Sequence, residues 1–72
     1  MKIKFEGLDK ISTLGNMLPN SWARSLDDAN RLYYKNADCI TIFQDGSIIT
    51  LTSYNPHVDV RIIQRGRIII DL

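Results

Sequence analysis

The stretch Cys39-Ile40-Thr41-Ile42-Phe43-Gln44-Asp45-Gly46-Ser47-Ile48-Ile49-Thr50-Leu51 decides the fold. Two β-branched, alternating runs flank Asp45-Gly46, a pair in which both residues tolerate positive φ. The segment therefore reads as a hairpin with a two-residue turn. That turn sets Gln44 opposite Ser47, which pairs Ile42 with Ile49 and Ile40 with Leu51 on one face. The other face pairs Phe43 with Ile48, Thr41 with Thr50 and Cys39 with Thr52.

Downstream, Asn55-Pro56 marks the next reversal, through a four-residue loop or a cis-proline turn of the same parity. Leu51 then faces Val60, Ile49 faces Ile62, Ile48 faces Ile63 and Thr50 faces Arg61. A third reversal at Gln64-Arg65-Gly66 puts Gly66 at the left-handed position of a bulged turn. It aligns Ile62 with Ile68, Val60 with Ile70 and Val58 with Leu72. A two-residue Arg65-Gly66 loop would instead mix buried and exposed sets. The expectation is a four-stranded antiparallel meander over 39–72. Its inner rows are Ile42-Ile49-Ile62-Ile68 and Ile40-Leu51-Val60-Ile70.

Upstream, Met1, Ile3 and Phe5 alternate with Lys2, Lys4 and Glu6, the period of a strand with one buried face, closed by Gly7. From Leu8 the period changes. Leu8, Ile11, Leu14 and Leu18 recur at helical spacing behind Asp9, and Pro19-Asn20 ends the segment. A second helix follows, capped by Ser21 or Ser25, with Asp27 and Asp28 in its first turn. Trp22, Leu26, Ala29 and Tyr33 form its stripe, and Asn36 stops it. Residues 1–72 thus read as one small α+β domain, a two-layer sandwich in the order β-α(α)-β-β-β-β. The helical segment packs on one face. The first strand lies either parallel beside the Cys39 strand or antiparallel to the C-terminal strand.

Composition narrows the function classes. A chain of 72 residues with net charge +1 is neither a disordered segment nor a strongly basic nucleic-acid binder. A single cysteine cannot close an internal disulfide, which points to a reducing compartment and a cytoplasmic protein. No apolar run approaches the ~20 residues of a membrane span, and the alternating start is unlike a signal peptide. His57 has no second histidine or cysteine at ligand spacing, and Cys39 has no identifiable base. No cofactor, metal or catalytic residue is expected, and the chain does not read as an enzyme.

The outer rows of the meander carry the functional expectation. Phe43, Ile48 and Ile63 form an apolar strip on a face that a solvated sheet would keep polar. Arg61, Arg67 and Ile69 lie around it, with Arg65 and Tyr34 nearby. This pattern suits a non-catalytic module that binds a protein, either a host partner or a second copy as a homodimer. The alternative is a nucleic-acid-binding accessory protein using Arg61, Arg65 and Arg67 with Lys2 and Lys4.

The opening Met1-Lys2-Ile3-Lys4-Phe5-Glu6-Gly7-Leu8-Asp9-Lys10 resembles the start of phage tail-completion proteins, over about these ten residues only. Those proteins are longer and continue into a long amphipathic helix, which Gly15 and Pro19 interrupt here. The resemblance carries over no function and no site residue. What it implies is a phage or other mobile element as source, and an inhibitor or regulator of a host protein fits such a source.

Overall fold

The computed structural model describes residues 2–71; Met1 and Leu72, and with Leu72 the expected pairing to Val58, lie outside the described residues. Six strands form one antiparallel sheet: β1 (Lys2–Thr13), β2 (Ser21–Ser25), β3 (Arg31–Asn36), β4 (Cys39–Gln44), β5 (Ser47–Leu51) and β6 (Asp59–Asp71). Their order across the sheet is β1-β6-β2-β3-β4-β5. The described residues contain no α-helix, only a 3-10 turn at Leu14–Asn16. The expected α+β sandwich is therefore corrected to an all-β fold.

The β4–β5 hairpin forms as the sequence dictates. Asp45 and Gly46 take φ of 50° and 81°, the positive pair a type I′ turn requires. Gln44 faces Ser47, Phe43 faces Ile48, Ile42 faces Ile49, Thr41 faces Thr50 and Ile40 faces Leu51. The ladder stops there, short of Cys39 and Thr52. Beyond it the meander is not built. The chain after Leu51 does not turn back on β5; it crosses the end of the sheet so that Pro56 and Val58 meet the 3-10 turn. The Leu14 N–H donates to the Val58 carbonyl (3.0 Å) and the Gly15 N–H to the Pro56 carbonyl (2.9 Å). The expected rows joining Leu51 to Val60, Ile49 to Ile62, Ile48 to Ile63 and Thr50 to Arg61 do not exist.

Nor does the chain turn at Gln64-Arg65-Gly66. β6 runs unbroken from Asp59 to Asp71, antiparallel to β1 along its length, with a bulge where Leu8 faces Arg65 and Asp9 faces Ile63. Of the two placements open to the first strand, the one against the C-terminal strand is found. Ile62 and Val60 accordingly do not meet Ile68 and Ile70. Gly7 and Gly66 face each other in this ladder with φ of 149° and 132°. A Cβ on either would sit 2.1 Å from a carbonyl oxygen of the opposing strand. Both residues let two backbones close to a distance no side chain allows. Gly7 therefore continues a strand, and Gly66 is no turn.

The helical periodicities fail for a related reason. Leu8 and Ile11 belong to β1 and remain more than half exposed, so their spacing with Leu14 and Leu18 does not mark a buried stripe. Trp22 and Tyr33 lie on β2 and β3, which pair Ser21–Lys35, Trp22–Tyr34, Ala23–Tyr33 and Arg24–Leu32. Leu32 and Tyr33 are consecutive yet both buried, because the sheet packs on both faces. Two-sided burial erases the alternation that identifies a strand.

Cross-strand partners share a face. One face carries Ala23, Tyr33, Ile40, Ile42, Val60 and Ile62; Leu14, Met17 and Tyr54 close over it to make the main core. The opposite face carries Trp22, Arg24, Leu32, Tyr34, Phe43, Ile48, Arg61 and Ile63. The division into inner and outer sets thus holds for 40–51 and for 60–63, although the strands joining them differ from expectation.

Candidate functional site

β2 lies beside β6 over three residue pairs only, Ala23–Ile62, Arg24–Arg61 and Ser25–Val60. Past Ala23 and Ile62 the two strands part. On β6 the departure coincides with Gln64, the residue left over by the bulge opposite Leu8 and Asp9. The extra residue bends the strand and increases its twist. The distal half of the β1–β6 ribbon then becomes an arm that carries Ile68 and Ile70 to the cleft beside Trp22 and Leu32. Phe5 on this arm lies under the Arg24 guanidinium, 4.9 Å from its ring centre. Arg24 also reaches Asp9: its Nε donates to Oδ2 at 2.8 Å, and Nη2 lies 2.8 Å from the same oxygen in an ion pair. Asp9 is 15% exposed, and this ion pair clamps β1 to β2 across β6.

Between the diverging strands is an open cleft of about 640 Å³. Trp22 and Leu32 form its floor, Ile63, Ile68 and Ile70 its β6 wall, and Asn20, Ser21 and Gln64 its polar mouth. A smaller depression of about 300 Å³ continues it past Ser21, Ile63 and Gln64 toward Leu18 and Lys10. Among the described residues, Ser21 and Trp22 on β2 pair only with β3, and the part of β6 beyond Ile62 pairs only with β1.

Trp22 is flanked on its own face by two aromatic side chains. The Trp22 ring lies 4.6 Å from Tyr34 and 5.7 Å from Phe43, both tilted contacts. The Tyr34 hydroxyl donates to Asn20 Oδ1 (2.9 Å), and the Ser21 hydroxyl donates to the Leu18 carbonyl (2.6 Å). These bonds fix the mouth. At the other end of β2 the Ser25 hydroxyl donates to Asp27 Oδ1 (2.7 Å) and accepts from the N–H groups of Asp27 and Asp28. Gln44 Nε2 donates to Asp28 Oδ2 (2.6 Å), tying the β2–β3 loop to β4. The Ser25 hydroxyl, with Asp27's own amide helping, holds the Asp27 carboxyl below its ordinary range.

The residues expected to bind a partner are distributed unevenly around this cleft. Tyr34 and Phe43 come together against Trp22, and Ile63 lines the wall. Ile48 lies on β5, with β2, β3 and β4 between it and the β6 residue Ile63, and is 68% exposed. Arg61 faces Ile11 on one side and Arg24 on the other. Arg65 lies opposite Leu8, and Arg67 is held by Glu6 (3.1 Å) in an exposed pair. The bulge puts Ile68 and Ile70 on the cleft side of β6 and leaves Arg67 and Ile69 on the other. The sequence pattern assigns Trp22 to a helix stripe and Ile68 and Ile70 to the inner rows, and gives Leu32 no role. The signal that finds them is the pair of glycines, each set in an apolar alternating run, which marks a strand crossing.

Cys39 begins β4, and the His57 N–H donates to Asn55 Oδ1 (3.0 Å) in the loop before β6. No family model matches this chain, and no curated protein or solved structure matches it significantly.

Proposed function

We propose that this protein is a non-catalytic protein-binding module that holds an extended, apolar segment of a partner protein in the cleft between β2 and β6. The single observation that carries the reading is the divergence of these two strands. It leaves a gap of strand-like shape with apolar side chains beneath and unpaired backbone edges on both sides. An inserted segment gains main-chain hydrogen bonds from the edges, while alternate side chains fill the apolar floor. Trp22 supplies the rigid aromatic surface common at the centre of protein interfaces. Asn20, Ser21 and Gln64 offer polar contacts at the rim that fix orientation.

This reading keeps the open face as the binding side and moves its centre from Phe43, Ile48 and Ile63 to Trp22, Ile63 and Ile68. The chain has one tryptophan, so its fluorescence reports the cleft directly. Selection of extended peptides from a random library, followed by titration against Trp22 emission, tests it. Selected peptides shift the emission and lose at least about tenfold in affinity against Ile63→Lys, as a charge placed in a desolvated apolar pocket requires. Peptides that bind Ile63→Lys as tightly as the native chain, or no enrichment at all, refute it.

A further inference from the structure

We propose that β5 is a self-pairing edge through which two copies of this chain join antiparallel, about a two-fold axis at Ile49. The sheet has two outer edges, and they differ in kind. β1 carries Lys2, Lys4, Glu6, Asp9 and Lys10, and its ladder to β6 shifts register at the bulge that Gln64 makes on β6; charge and irregularity are the usual protections against strand addition. β5 has neither. Between Asp45 and Asp59 the chain contains no Lys, Arg, Asp or Glu, and β5 pairs without irregularity. Ile48 on the open face and Ile49 on the other stand 68% and 53% exposed.

The turn fixes which backbone groups are free. In a two-residue hairpin the flanking residues, Gln44 and Ser47, exchange hydrogen bonds, and bonded pairs then alternate along the ladder. Ser47, Ile49 and Leu51 therefore bond to β4, while the N–H and carbonyl groups of Ile48 and Thr50 point outward. A second β5 brought in antiparallel with Ile49 opposite its own copy sets each Ile48 against the other chain's Thr50. All four outward groups on each chain are then satisfied, and every residue keeps its face. The absence of charge makes the edge complementary to itself, because any charge on it would approach its like near the axis. Five residues a side bury well under the ~1,200 Å² of a standard interface, so the dimer is weak and exchanges rapidly. The cleft lies beyond β4, β3 and β2, so pairing leaves it open in both copies. The inference therefore stands or falls separately from the peptide-binding reading.

The test is sedimentation of the full chain from micromolar to millimolar concentration, with amide exchange measured at both ends. A reversible dimer is expected, with concentration-dependent protection of the Ile48 and Thr50 amides and no change in the β1 amides. Thr50→Pro removes an outward donor without touching the β4 ladder. It weakens association at least about tenfold, since two hydrogen bonds per dimer are lost. Ile49→Lys, which sets two charges face to face, does the same, and circular dichroism checks that both variants fold. A monomer at millimolar concentration, a dimer indifferent to both variants, or protection that appears on β1 instead overturns the proposal.

Discussion

Replacing Gly66 by alanine tests the crossing on which the arm and the cleft depend. The added Cβ would lie 2.1 Å from the Glu6 carbonyl oxygen and 2.6 Å from the Gly7 Cα, both backbone atoms held by the ladder. A φ of 132° adds strain of about 1–3 kcal/mol for any residue with a side chain. Forcing the strands apart adds roughly 1–3 kcal/mol more. The sum, about 2–6 kcal/mol, is a large share of the stability expected for a domain this small, on the order of 5–10 kcal/mol. Gly46→Ala provides the scale. Gly46 also has positive φ (81°), but no atom lies within 4 Å of its Cβ position, so that change costs about 1 kcal/mol. Urea titrations followed by Trp22 emission compare the two variants. With a slope near 1 kcal/mol/M, the Gly66→Ala midpoint falls by roughly 3 M. The double variant with Gly7→Ala adds less than the sum, because both residues relieve one contact. A Gly66→Ala loss no larger than that of Gly46→Ala refutes the close approach.

Four further substitutions probe other contacts of the fold. Leu32→Ala empties a side chain that is 1% exposed and should lower stability by about 2–5 kcal/mol in the same titration, with a change in Trp22 emission because both residues floor the cleft. Asp9→Ala should lose about 1–2 kcal/mol, since it frees a part-buried carboxylate partner of Arg24, whereas Glu6→Ala, which breaks an exposed pair, should stay within about 0.5 kcal/mol. Ser25→Ala should raise the Asp27 pKa toward its ordinary value in an NMR titration. In the native chain this lowered pKa contributes stability above the unfolded carboxylate pKa and loses it as pH falls through the folded one, so the variant should flatten that acid limb.

What the sequence made legible follows from how local each determinant is. Asp45-Gly46 sets its own register, and all five β4–β5 pairs came from two turn residues and a parity rule. The division of 40–51 and 60–63 into two faces survived for the same reason. The β1–β6 pairing is the opposite case. It joins residues some sixty positions apart, and its one local mark, the Gly7–Gly66 approach, looks like a strand end and a turn when each glycine is read alone. β2 and β3 were hidden because Leu32 and Tyr33 are buried on opposite faces of one strand, which gives a run compatible with a helix stripe through Trp22 and Tyr33. The candidate site inherited both difficulties. Tyr34 and Phe43 do lie against Trp22 and Ile63 does line the cleft, whereas Ile68 and Ile70 were assigned to the wrong side of the sheet because Gln64 was read as part of a loop. A bulge of one residue reverses every side chain beyond it.

Amide hydrogen exchange along β6, in the free protein and with a library-selected peptide bound, separates a β6 arm paired on one side from a β6 paired on both. Continuous protection is expected over Val60–Ile62, where β6 has neighbours on both sides. Across the arm from Gln64 to Asp71 protection should alternate, because only the amides facing β1 are bonded. The peptide should then slow exchange at the cleft-facing amides of the arm and at whichever of Ser21 and Trp22 turns its amide away from β3. Uniform protection of the arm in the free protein, or a bound peptide that leaves those amides unchanged, would contradict this reading.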